Sequence, residues 1–132
     1  MKKIIAMALV LCMIFALTVT AHADDKIKIG MVTDVGGVND KSFNQTSWEG
    51  LQALAKEDSS FEVKYLESRT DADYQTNINT FIEEKYDLII CVGYMLADAT
   101  KAAATANPNQ KFAIIDDATC ANLPNVACLM FA

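Results

Sequence analysis

From residue 27 onward the chain alternates between two hydrophobic rhythms. Ile27 to Thr33 is a short apolar run of strand length, and the following stretch from about Ser42 to Asp58 carries Phe43, Trp48, Leu51 and Leu54 as its large apolar residues. Ser42-x-x-Gln45 matches a capping box, so a helix is predicted there; Gly50 weakens it without breaking it. Phe61, Val63 and Tyr65 then alternate with Glu62 and Lys64, the pattern of a strand nearer a sheet edge with one wetter face. Thr70 or Asp71 opens a second helix, in which Tyr74, Ile78, Phe81 and Ile82 fall on one face.

Leu88-Ile89-Ile90-Cys91-Val92 is unbroken and apolar, as expected of a strand covered on both sides, and Gly93 ends it. A third, alanine-rich helix is predicted from about Leu96 to Ala106, stopped near Asn107-Pro108. Phe112 to Ile115 reads as a fourth strand ending at Asp116-Asp117, and Val126 to Phe131 as a fifth. Strand and helix signals alternating at short spacing predict an α/β fold: a Rossmann-like parallel sheet with helices on both faces. The chain stops inside the fifth strand, so an incomplete product is expected.

The first residues have a different pattern. Lys2 and Lys3 precede an apolar run from Ile4 to Val19, and Ala21-His22-Ala23 fits the small-x-small motif before a signal-peptidase cut. The apolar run is shorter than the roughly 20 residues a spanning helix needs. Residues 1–23 are therefore expected to be a signal peptide cleaved between Ala23 and Asp24, leaving 24–132 as one domain. A lipid attachment site needs a cysteine directly after a small residue, and Cys12 follows Leu11 inside the apolar run.

Composition then excludes several chemistries. The formal net charge is −6, and loss of Lys2 and Lys3 with the leader makes the remainder more acidic, which argues against nucleic acid or an anionic membrane as a partner. His22 is the only histidine, so the processed chain has no imidazole base and no imidazole metal ligand. Cys91, Cys120 and Cys128 remain without a CxxC pair; Cys91 sits in an apolar run and is expected to be a buried thiol. A bridge between Cys120 and Cys128 is the lesser reading beside free thiols.

Asp34, Gly93 and Asp116 each fall directly after a strand, and in a parallel sheet those ends share the edge where small molecules bind. Each has an ordinary alternative. Asp34 is equally well a turn or helix cap, Gly36-Gly37 fits a tight turn, and a first-turn aromatic such as Phe43 more commonly packs inward. Together, though, Asp34, Phe43 and Asn44 offer a carboxylate acceptor, an aromatic face and an amide, the groups that read a heterocycle. Asp71, Asp73, Gln75, Asn77 and Asn79 imitate the alternating oxygens of a calcium loop, but Thr76 replaces the turn glycine and Ile82 the closing acid.

The segment Thr33-Asp34-Val35-Gly36-Gly37-Val38-Asn39-Asp40-Lys41-Ser42-Phe43-Asn44-Gln45, followed by Trp48-Glu49-Gly50-Leu51, resembles the N-terminus of the basic membrane protein family, the substrate-binding proteins of nucleoside ABC importers. The likeness continues through Gly93, Asp98-Ala99, Lys111 to Asp116 and Asn125-Val126-Ala127. It implies a type I periplasmic binding protein fold, two Rossmann-like lobes clamping a nucleoside, with residues 24–132 as a partial N-terminal lobe. By position it implies Asp34 and Asp116 as ligand-binding acids, Phe43 as the aromatic stacking on the base and Asn44 as its polar neighbour. Gly93, Tyr94 and Met95 would line the cleft wall.

The resemblance further implies no cofactor, no catalysis, a purine nucleoside as ligand, an ABC permease as partner, and a place in the periplasm or on the outer face of the plasma membrane. Two departures stand out: the lipobox is absent, and the family is much longer than this chain. Membrane contact is then expected only through the permease or an anchor the sequence does not reveal. Two alternatives keep other chemistry open. Asp34, Asn39 and Asp40 thinly resemble the calcium loop of nucleoside hydrolases, which would make this a metal-dependent enzyme, and the same fold also serves non-transport ligand sensors.

Overall fold

In the computed structural model, residues 26–131 are described; the expected leader and its cleavage position lie outside them. The apolar runs form five strands: β1 (Ile27–Val32), β2 (Phe61–Leu66), β3 (Leu88–Val92), β4 (Lys111–Ile115) and β5 (Val126–Leu129). They pair in the order β2-β1-β3-β4-β5, all parallel, because each is separated from the next by a helix or a long loop that returns the chain to the starting edge. The helices are α1 (Phe43–Glu57), α2 (Ala72–Glu83) and α3 (Ala97–Ala106), the last entered through a 3-10 turn at Tyr94–Leu96.

Strand alternation sorts the core into two layers. Val32, Ile89, Cys91, Phe112 and Ile114 face α2 and α3, meeting Tyr74, Ile78, Phe81, Ala103 and Ala104. Ile29, Met31, Val92 and Ile115 face the other way, toward Leu51 with Trp48 and Leu54. The four residues predicted to share one face of α2 do so: Tyr74, Ile78 and Phe81 are buried and Ile82 packs beside them. Gly30 explains how closely α2 lies on the sheet, since a Cβ there would stand 2.6 Å from the Phe81 ring. The strand with the wetter face, β2, is indeed an edge strand.

Two local expectations need correction. Ser42 makes no side-chain cap bond. The cap is Asp40, whose carboxylate accepts from the amides of Ser42 (2.8 Å), Asn44 (3.1 Å) and Gln45 (3.1 Å). Lys41, at φ 55°, turns the chain back so that this carboxylate reaches over the helix end, and Gln45 bonds to Glu49 instead. At α2, Asp71 stands at the N-cap position as expected, without a side-chain cap bond, while the Asp73 carboxylate in the first turn accepts from the amides of Arg69 and Thr70. Finally, β5 is shorter than predicted: the Asp116 amide donates to the Leu129 carbonyl at 2.8 Å, and Asp116, at φ 61°, then leads β4 away. Among the described residues the pairing of β4 with β5 ends at Ile115 and Leu129, before Met130 and Phe131.

Candidate ligand-binding site

The strand order reverses between β1 and β3: the chain goes from β1 outward to β2, then crosses to β3 on the other side. At such a switch point the loops leave the sheet in opposite directions and open a crevice beyond the carboxyl ends. Asp34 follows β1, Gly93 follows β3 and Asp116 follows β4, so the crevice and its flank are furnished by residues named from sequence.

The loop after β1 is held from below. Thr33 is buried, and its hydroxyl donates to the Asp34 carbonyl (2.9 Å) while accepting from the Ser68 amide (3.2 Å). The Val38 amide donates to Glu67 Oε1 at 2.9 Å, which ties the loop's far side to the end of β2. Asp34 Oδ1 accepts from the Gly36 amide (2.8 Å) and from Asn44 Nδ2 (2.7 Å), and the Asp34 amide donates to Asn44 Oδ1 (3.3 Å). Asn44 Nδ2 also donates to Asp40 Oδ2 at 2.9 Å.

Both Nδ2 protons of Asn44 are engaged and the residue is 0% exposed, so in the unliganded chain its amide supports Asp34 rather than opening to the crevice. It bridges two carboxylates that would repel each other without it. Burial works to raise the Asp40 carboxyl, but the hydrogen bonds from Gln45, Ser42 and Asn44 outweigh it and hold the group below its ordinary value.

Asp34 Oδ2 takes part in none of the hydrogen bonds among the described residues, and it lies beside Gly93: a Cβ at that position would be 3.2 Å away. Gly93 itself sits at φ 94°, ψ 154°, a backbone region that side chains rarely enter. Its amide donates to the Ile115 carbonyl at 3.0 Å, which brings the residue before Asp116 alongside. Asp116 is half-buried at the same edge.

Phe43 does not join the core: it is 41% exposed at the first turn of α1, its ring 5.8 Å from that of Phe131. The two rings border a hollow of about 600 Å³ that also includes Leu51, Ile90 and Ile115. On the crevice's other side Tyr94 and Met95 are exposed, and Tyr74 donates its hydroxyl to Met95 Sδ at 3.8 Å. Burial pushes the Tyr74 hydroxyl pKa up, with the Asp34 and Asp71 carboxylates adding to it. Sequence reasoning placed Tyr74 in the core only; periodicity registers its ring, not where its hydroxyl ends.

Seven of the exposed large apolar residues, Val35, Phe43, Tyr94, Met95, Leu129, Met130 and Phe131, stand in the segments following strands or at a strand's carboxyl end. Among the described residues only Ile27, at the start of β1, departs from this grouping. An apolar rim around fixed carboxylates suits a neutral ligand with a flat apolar body and N–H or O–H donors. The N-terminus of α1, a natural seat for a phosphate, is filled by the chain's own Asp40 carboxylate.

Parallel order and a switch-point crevice define a doubly wound α/β lobe, the class in which small ligands sit beyond the carboxyl ends of the strands. A solved ABC transporter solute-binding protein from Aeropyrum pernix K1 superposes on the chain with a TM-score of 0.72 at 31% identity, covering 80% of this chain and 28% of that one. The profile of the family described as "ABC transporter substrate-binding protein PnrA-like" (Bmp) matches residues 27–132, and the chain belongs to that family. It is a family of binding proteins, not of enzymes.

Among curated relatives, the chain is 46% identical over 102 residues to the CD4+ T-cell-stimulating antigen of Listeria innocua, covering 71% of this chain and 29% of that protein. It is 44% identical over 93 residues to the ABC transporter nucleoside-binding protein BmpA of Lactococcus lactis subsp. cremoris, covering 68% of this chain and 26% of that one. The matched part thus spans between a quarter and a third of these relatives' length.

Proposed function

We propose that this chain forms one wall of a nucleoside-binding cleft, for purine nucleosides, in an exported substrate-binding protein that delivers its ligand to an ABC permease. The observation that carries the reading is the placement of Asp34, Gly93 and Asp116 at one sheet edge, with the aromatic face of Phe43 exposed at the rim. Phe43 supplies the stacking surface, Asp34 and Asp116 accept donors of the ligand, and Tyr94 and Met95 shape the far wall. Asn44 enters as a support for Asp34. The 44% identity to a nucleoside-binding relative favours this ligand class.

Residues 24–132 act in this reading as a partial N-terminal lobe, released from residues 1–23 by cleavage between Ala23 and Asp24. Membrane contact then runs through the permease or through an anchor the sequence does not reveal. One wall leaves half of a bound base in water while the ordering cost of binding persists, so the lobe alone binds weakly. The hydrolase alternative loses ground because Asp34 Oδ1 and both Asp40 oxygens are already engaged by N–H donors, which leaves no converging set of free acid oxygens in that loop.

The test compares nucleoside titrations of the chain with those of the same lobe joined to the second lobe of the Lactococcus relative. Weak binding by the chain and tight binding by the completed protein are expected. A completed protein that binds no nucleoside, or that releases free base only when a divalent metal is supplied, overturns the proposal. Mass spectrometry of secreted chain should find Asp24 at its N-terminus.

A further inference from the structure

The carboxylate of Asp34 has two oxygens with different fates. Oδ1 is held by the Gly36 amide and Asn44 Nδ2, while Oδ2 is left beside the side-chain-free backbone of Gly93. What fixes this division is Asn44, and what fixes Asn44 is Asp40. A primary amide can rotate about its last torsion and exchange its oxygen and nitrogen, which here would set its oxygen against two carboxylates. Asp40 Oδ2 takes the second Nδ2 proton at 2.9 Å and the Asn44 backbone amide at 3.1 Å, so one oxygen locks both ends of the residue.

Gly36 closes the arrangement from above. A Cβ there would lie 3.0 Å from Asp34 Oδ1, 3.4 Å from Asp40 Cβ and 3.5 Å from Asn44 Nδ2. All three members of the chain of contacts therefore pack beneath a residue that has no side chain to displace them.

We infer that Asp40 is a positioning residue for the ligand site: through Asn44 it fixes the Asp34 carboxylate so that Oδ2 alone faces the crevice as a single, directed acceptor. The inference rests on the nucleoside reading for what Oδ2 meets, namely an N–H donor on the base edge, but the relay itself is a property of the unliganded chain. Capping α1 is a separate role of the same carboxylate. A serine hydroxyl at this position has one oxygen, which cannot accept from the amides of Ser42, Asn44 and Gln45 and also hold Asn44 Nδ2 in place.

Asp40→Ser removes the acceptor of the second Nδ2 proton, and readouts at Asn44 and at the ligand distinguish that loss from the loss of the cap. Nitrogen-edited NMR of the wild-type chain should show the Asn44 side-chain NH2 pair resolved and slow to exchange with water. In Asp40→Ser that exchange should speed up about tenfold or more, with amides in the middle of α1 still protected, while loss of the carboxylate's bonds to three backbone amides lowers the melting temperature. Millimolar titrations with inosine, which has an N1–H donor, and purine riboside, which lacks one, should perturb the Gly93 amide with a preference for inosine that the variant loses. Gly36→Ala, which presses on the relay without removing a partner, should weaken the same preference.

Unchanged Asn44 side-chain exchange in Asp40→Ser overturns the relay. If that exchange speeds up but the inosine preference survives, Asp40 positions Asn44 without steering the ligand, and the inference fails at that step. If neither nucleoside perturbs the wild-type chain or its completed form, the nucleoside reading falls, while the exchange measurement still decides the relay. Should Asp40→Ser not fold, Gly36→Ala decides by the same two readouts.

Discussion

Replacing Gly93 by alanine tests the geometry of the crevice most directly. Gly93 has φ 94° and ψ 154°, and a side chain forced into such a region costs about 1 to 3 kcal/mol. The added methyl also arrives 3.2 Å from Asp34 Oδ2, closer than ordinary contact, and Asp34 cannot retreat freely because Oδ1 is held at 2.7 and 2.8 Å. The loss should therefore fall toward the upper end, roughly 2 to 3 kcal/mol. At about 4 to 8 °C per kcal/mol for a domain of this size, the melting temperature should drop by roughly 8 to 24 °C.

Gly50→Ala is the matched control. Gly50 lies inside α1 with no neighbouring heavy atom within 4 Å of an added Cβ, so the same chemical change should stabilise by about 0.5 to 1 kcal/mol. Urea denaturation of both variants beside the wild type reads the two signs in one series. A Gly93→Ala chain as stable as the wild type, or two substitutions that move the midpoint the same way, would refute the reasoning from backbone strain and close approach.

Three further outcomes follow from the structure. Phe43→Ala, in a completed two-lobe protein, should weaken nucleoside binding by about the stacking contribution of 1 to 3 kcal/mol and barely move the melting temperature, since Phe43 is already exposed; calorimetry and thermal scans on the same variant separate the roles, and a loss of stability alone returns Phe43 to the core. Asp40, Asp58 and Asp73 are each held below their ordinary values by backbone hydrogen bonds that outweigh any burial, so the stability they add is present above the unfolded carboxyl value and lost as pH falls through the folded ones; urea midpoints should decline below about pH 4, less steeply in Asp40→Ser. Burial pushes the Cys91 thiol up to about 12, so Cys91 should resist an aromatic disulfide reagent at pH 8 until urea is added, while half-buried Cys128 reacts first; mass mapping of the labelled positions reads the order.

Much of the fold was legible because a fully covered parallel strand is apolar throughout and an amphipathic helix is periodic. Leu88–Val92 and the Tyr74, Ile78, Phe81 face needed nothing else. The candidate edge of the site was legible for a related reason: strand ends are visible in sequence, and in a parallel sheet every carboxyl end lies on the same side. The caps were less legible. Ser42 matches the capping pattern and makes no cap bond, because a carboxylate two residues earlier, swung back by the left-handed Lys41, reaches more amides than a hydroxyl can.

What the sequence by itself determined is the alternation of strand and helix, the family, and which residues stand at the strand ends. Those depend on local periodicity and on chemistry carried by single residues. The tertiary structure decided how these residues divide the work. Phe43 and Asn44 are neighbours in the chain, yet one ring stands exposed at the rim while the other side chain is buried between Asp34 and Asp40. A helix turns its successive residues about 100° apart, so whether a first-turn residue meets solvent or a carboxylate depends on how the loop from β1 folds back over the helix end. That is fixed by contacts between β1, the loop and α1, which no residue states alone.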